Sequence, residues 1–171
     1  MALVVRRVAI FLAIVMAFAL PAAIAAHAAT RSVVPFRGYS PGTIVVKTHE
    51  RRLYYVLRGQ RALRFPVGVG CAGMQWSGAT RIAGKFVDPA WRAPRAINHG
   101  VLGRVILGGS PHNPMGVAAM TLAGTQYAIH GTNRPDLIGG FVSHGCIRMY
   151  NRDIRELFRL VSVGTPAIVQ R

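Results

Sequence analysis

Acidic side chains are scarce in this chain. Glu50, Asp88, Asp136, Asp153 and Glu156 stand against 21 lysines and arginines in 171 residues, a formal charge of +16. A balance so one-sided points first to nucleic acid. The basic residues are scattered, however, and form no zinc-finger, basic-zipper or RNA-recognition signature, so no nucleic-acid partner is expected. Cysteine is scarcer still, with only Cys71 and Cys146. Two cysteines are few for a disulfide-stapled scaffold, and a chain of this length buries a core without a staple. A structural disulfide between them remains the competing reading to a reactive thiol. Residues 8–20 are apolar and uncharged but too short for a membrane span. Internal repeats and low-complexity segments are missing too, which leaves one compact domain.

That short apolar run follows Arg6 and Arg7 and precedes Pro21 and Ala26-His27-Ala28. A charged start, an apolar stretch and an A-x-A ending are the parts of a secretory leader, with an uncleaved anchor as the alternative. Residues 1–28 are therefore read as a signal peptide, residues 29–42 as an N-terminal linker and residues 43–171 as the folded domain. Without the leader, 19 basic residues face 5 acidic ones, a net +14. Outside the cytoplasm such a charge suits adhesion to an anionic surface, either carboxylate-rich wall polymer or acidic headgroups, and steers encounter. The mature chain is expected to be monomeric, with no stable membrane span.

The patterning is mainly β. Residues 43–48, 53–57 and 62–69 read as short strands separated by turns at Glu50-Arg51-Arg52 and Gly59-Gln60, hence antiparallel hairpins. Residues 81–87 read as another strand. Residues 89–114 carry Pro94, Pro111 and several glycines and read as loop with at most short strands. Apolar stretches over residues 115–122 and 126–129 lead to His130. One helix is expected late. Asn151 is placed as its cap, and Ile154, Leu157, Phe158 and Val161 recur at i, i+3, i+4 and i+7. Asp153 and Glu156 lie near its positive end, and Gly164 and Pro166 stop it before a last strand at 167–169.

Two segments carry the chemistry: Ile129-His130-Gly131-Thr132-Asn133 and Ser143-His144-Gly145-Cys146-Ile147-Arg148-Met149. The loop between them holds Pro135, Gly139 and Gly140 and reads as returning one strand end beside another. A thiol nucleophile needs a base, an orienting group for that base and donors for an oxyanion. Cys146 and His130 can supply the first pair. No carboxylate lies near in sequence, so the carbonyl of Gly131 or a neighbour is the candidate orienting group. Gly145 permits the backbone N–H groups of residues 144–146 to converge on one point, and Ser143 can donate into the same place. His144 is either a second imidazole over a substrate or a support for the loop. A metal bound by His130, His144 and Cys146 is a poorer reading, since H-x-C is not a usual zinc spacing and no fourth ligand presents itself. No metal or other cofactor is expected. His49, His99 and His112 have no such company and are read as surface or loop residues.

With these motifs the chain resembles the L,D-transpeptidases with a YkuD-type catalytic domain. The resemblance extends back through Asn113-Pro114-Met115-Gly116 and Arg64-Phe65-Pro66-Val67-Gly68-Val69-Gly70, and forward through Asn151, Asp153 and Gly164-Thr165. It implies a mainly β (α+β), sandwich-like catalytic domain with one late helix, acting on peptidoglycan stem tetrapeptides. It also implies that Cys146 is the nucleophile and His130 the general base. Ser143, His144, Gly145 and Gly131 would support the site, and Arg148 would engage a substrate carboxylate. The acyl group would pass to an amine, giving a 3→3 cross-link or an attached protein. A carboxypeptidase or endopeptidase using water, or an inactive wall-binding protein, are the alternatives. Ser77-Gly78-Ala79-Thr80 replaces a Thr-Pro-x-Gly segment common in the family, no separate wall-binding module is visible, and Cys71 has no family role.

Overall fold

The computed structural model describes residues 31–93 and 105–171. The predicted leader, residues 1–28, and His99 lie outside these. Three strands form the expected antiparallel meander: β2 (Ile44–Lys47), β3 (Arg52–Leu57) and β4 (Arg61–Pro66). The alternation of their side chains separates two cores. Ile44, Val46, Leu53, Leu63 and Phe65 face the main interior, whereas Val45, Tyr54, Val56 and Ala62 pack on the opposite face. Successive strand residues point to opposite sides, so a sheet with both faces covered reads as a near-continuous apolar run.

What covers the second face corrects the linker reading. Ser32–Pro35 is not irregular; it is strand β1, paired antiparallel to β4. Phe36 and Tyr39 then fold back over Tyr54, with Phe36 and Tyr54 stacked 4.4 Å apart. Pro35 is tolerated because β1 is an edge strand, where one row of N–H groups has no ladder partner.

A ten-residue strand, β6 (Gly78–Val87), joins the two halves of the molecule. Its first residues pair with β13 (Pro166–Gln170), and its later ones with β9 (Ala118–Leu122), with a register slip between Ile82 and Gly84. A slip of this kind bends a strand and increases its twist. The nine-stranded sheet, ordered β1-β4-β3-β2-β13-β6-β9-β10-β12, curls accordingly; β10 is Ala128–His130 and β12 is Ile147–Arg148. Two short ribbons complete the set: β5 (Val69–Gly70) with β11 (Phe141–Ser143), and β7 (Trp91–Arg92) with β8 (Val105–Ile106). The strand expected over residues 62–69 thus divides: β4 ends at Pro66, and β5 departs to meet β11.

The helix α1 (Asn151–Leu160) buries Ile154 and Leu157 in the main core, as the periodicity predicts. Asn151 does not cap it. Tyr150 occupies that position without a side-chain hydrogen bond. The far end is closed by a residue from β6. Lys85 Nζ donates to the carbonyls of Phe158 (2.6 Å) and Val161 (2.5 Å) and sits 4.3 Å from the Phe158 ring. A cation there satisfies carbonyls the helix leaves unpaired and complements its negative pole. Lys85→Met is expected to cost about 1.5–3 kcal/mol, the range for hydrogen bonds to a charged group. A urea midpoint equal to wild type would show that the contact contributes nothing. Among the described residues, no helix is long and apolar enough to cross a membrane.

Candidate active site

The chain brings the two motifs together through one parallel strand pair. β10 and β12 lie side by side with Ile129 opposite Ile147 and His130 opposite Arg148. The loop between them returns the chain as expected, and Met149 N–H donates to the His130 carbonyl at 2.8 Å. From the other side Gly68 exchanges two backbone hydrogen bonds with Arg148, at 2.9 and 2.8 Å. Cys146 is therefore the last residue of a tight turn held on both flanks.

His130 is 4% exposed, and its Nδ1 lies 2.6 Å from the Gly131 carbonyl. A carbonyl only accepts, so Nδ1 carries the proton and Nε2 is left as the free base. Burial lowers the imidazole pKa to about 4; the Gly131 contact opposes this shift and the Arg148 charge adds to it. Gly131 is itself confined. A Cβ on it would stand 2.3 Å from Asn151 Oδ1, which accepts the Thr132 N–H at 3.0 Å. Asn151 is thus spent on holding the His130 loop, which is why it is not the helix cap.

The Cys146 thiol is pushed up by burial, against the pull of a backbone hydrogen bond from Ala128 and of the Arg148 charge. Neutral imidazole and neutral thiol are accordingly the resting forms near pH 7. Arg148 is buried enough that its Nε has no hydrogen-bond partner among the described residues. A half-buried guanidinium lining the cavity is suited to taking a carboxylate. Cys71 and Cys146 are both unbridged. Cys71 is tied only through its backbone, its N–H donating to the Ser143 carbonyl at 2.9 Å.

Ser143 differs from expectation. Its hydroxyl donates to the Cys146 carbonyl (2.6 Å) and accepts the Gly145 N–H (3.2 Å), so it braces the turn instead of donating into the site. Of the three N–H groups expected to converge, that of Gly145 is therefore taken. Gly145 is required for a second reason. It has φ +114°, and a Cβ would lie 2.3 Å from Tyr127 Cε1. Gly145→Ala should lose roughly 1–3 kcal/mol through backbone strain alone, and more if Tyr127 cannot move. Thermal melting tests this, and an unchanged Tm would show that the turn relaxes freely.

His130, Ser143, His144, Cys146 and Arg148 all line one cavity of about 330 Å³, with His144 at its exposed rim. Gly131 and Gly145 support it from behind. The remaining wall is largely apolar: Met74, Trp91, Pro114, Met115, Gln126 and Tyr127. Trp91, in β7, and Tyr127, immediately before β10, belong to no motif that would mark them in the sequence. His49 and His112 are exposed and outside the cavity. No cluster of three or more metal-binding side chains occurs among the described residues.

Fold and site together define a single β domain presenting a thiol and an imidazole at the parallel edge of a curled sheet. Residues 41–169 match the YkuD family model, described as an L,D-transpeptidase catalytic domain, and the chain belongs to that family. It is 39% identical over 133 residues to "Probable L,D-transpeptidase YbiS" of Escherichia coli (strain K12), a match covering 71% of this chain and 42% of that one. It is 40% identical over 148 residues to "Probable L,D-transpeptidase ErfK/SrfK" of Salmonella typhimurium, covering 78% and 47%. The chain thus spans less than half the length of these curated relatives. Among solved structures, L,D-transpeptidase 3 from Mycobacterium tuberculosis with a faropenem-derived adduct superimposes with a TM-score of 0.62 at 16% identity, covering 75% of this chain and 60% of that one. The catalytic domain of an E. faecium L,D-transpeptidase acylated by ertapenem gives 0.59 at 22% identity, covering 78% and 100%. Likeness at these identities speaks to the fold alone.

Proposed function

We propose that this protein is an exported cysteine L,D-transpeptidase of peptidoglycan, working in cell-wall biogenesis in the periplasm or wall. The observation carrying this reading is a buried His130, fixed as the Nδ1–H tautomer by Gly131, on the same cavity as the only thiol in a Ser-His-Gly-Cys turn. In the proposed reaction, Nε2 of His130 takes the Cys146 proton as Sγ attacks the carbonyl between the third residue of a stem tetrapeptide and the terminal D-Ala. The C–S bond forms and the carbonyl π pair moves to oxygen. Collapse of that oxyanion breaks the C–N bond, and the His130 proton passes to the departing D-Ala nitrogen. An amine of a second stem then attacks the thioester, the new C–N bond replaces C–S, and the thiol is restored. Arg148 is proposed to hold the substrate carboxylate, and His144 to cover the bound stem at the rim. The net +14 would hold the protein on the anionic wall polymer.

Incubation with a disaccharide tetrapeptide, followed by mass spectrometry, tests this. A dimer with loss of one D-Ala is expected. A tripeptide monomer would make the enzyme a hydrolase, and unchanged tetrapeptide would defeat the reading. Ertapenem, whose strained amide presents the same kind of carbonyl, is expected to add one equivalent to Cys146 and none to Cys71.

A further inference from the structure

Three separate contacts converge on Gly145. Ser143 Oγ holds its N–H, the Tyr127 ring closes on its Cα, and Trp76 Nε1 donates to its carbonyl at 2.8 Å. Trp76 comes from the loop after β5, 69 residues away in sequence, and stacks on Tyr127 with ring centroids 5.3 Å apart and planes at 21°. Tyr127 faces the cavity, and Trp76 stands in the layer behind it, packed on the main core. A half-buried indole there with its N–H committed to one backbone oxygen is more than filler.

The carbonyl of Gly145 and the N–H of Cys146 are opposite edges of one peptide plane. Whatever fixes the oxygen fixes the direction of that N–H. With the Gly145 N–H engaged by Ser143, the Cys146 N–H is a remaining donor beside the nucleophile. A hydrogen bond onto a peptide oxygen also polarises the N–H of the same peptide, strengthening it as a donor.

We propose that Trp76 is a positioning residue for the oxyanion hole: its indole N–H orients the Gly145–Cys146 peptide so that the Cys146 N–H faces the oxyanion formed on acylation. This rests on the acyl-transfer reading above.

Trp76→Phe keeps an aromatic ring for the Tyr127 stack and removes only the donor. Two reactions of Cys146 separate the possibilities when followed by peptide-level mass spectrometry. Acylation by ertapenem passes through an oxyanion; alkylation by iodoacetamide does not. Misplacing or losing an oxyanion donor costs about 10²–10³ in rate, so acylation by Trp76→Phe should fall about 10–100-fold, while alkylation stays within about two-fold. Equal acylation by variant and wild type overturns the proposal. A parallel fall in both reactions also overturns it, because Trp76 would then shape the thiol or the fold as a whole. Wild type that alkylates but never acylates would remove the acyl-transfer reading itself, and this inference with it.

Discussion

Cys146→Ala should abolish both D-Ala release and ertapenem addition, a loss beyond about 10⁴-fold, since no second nucleophile of comparable reactivity faces the cavity. The fold should survive. Cys146 is only partly buried, and the turn is held by Ser143, Trp76 and the Gly68–Arg148 bonds, none of which uses the thiol. Wild-type Tm with no product is therefore the expected pair of results, read by melting and by mass spectrometry. More than trace turnover in the folded variant would move the nucleophile elsewhere, and an adduct that followed Cys71 would say where.

The second large effect concerns His130 and pH. Burial is the leading cause of its low pKa, about 4 against an ordinary 6.5. The free-base imidazole is then available throughout pH 5–8, and the acid limb of the acylation profile should fall near pH 4–5 instead of 6.5. His130→Ala should lose about 10²–10⁴ in rate near neutrality. The loss should shrink at high pH, where the thiol, raised by burial, ionises without help. A wild-type acid limb at 6.5 would mean that His130 is hydrated, and an unaltered profile in the variant would reassign the base.

The same shift predicts a stability slope. Between pH 6.5 and 4 the unfolded chain binds a proton at this histidine and the folded chain does not. Stability therefore falls as pH drops through that window, by on the order of 3 kcal/mol for a fully buried imidazole. Asp153 acts in the opposite sense. Burial raises its carboxyl, so the folded chain takes up that proton first and gains stability as pH falls toward the ordinary carboxylate range. Urea titrations of His130→Gln should remove the histidine slope and leave the aspartate one.

Much of this site was legible in the chain before any fold was known. His130, Cys146, Gly131 and Arg148 lie in two short segments whose residue types have few other uses together, and the loop between them announces its return through Pro135, Gly139 and Gly140. The meander β2–β4 and helix α1 were legible for a similar reason: their apolar residues follow the strand and helix periods over whole elements. Two-residue strands such as β5 and β12 are too short to show a period, and β1 was hidden by the proline that its edge position tolerates.

Local pattern assigned residue types to a chemistry; tertiary packing assigned the hydrogen bonds. Asn151 is a sound helix cap by its type and place, yet its side-chain carbonyl oxygen accepts the Thr132 N–H because the loop after β10 meets the start of α1 there. Ser143 has the right hydroxyl for an oxyanion donor, but its single O–H is spent on the Cys146 carbonyl within its own turn. Trp76 and Tyr127 carry no motif; Trp76 reaches Gly145 because β5 is drawn to β11 and the loop after it closes over the turn, and Tyr127 because it immediately precedes β10, which pairs with β12. A hydroxyl, an amide or an indole offers only a few hydrogen bonds, and which partner receives them depends on distances between segments far apart in the chain. That choice belongs to the folded molecule, because the linear spacing of residues says nothing about it.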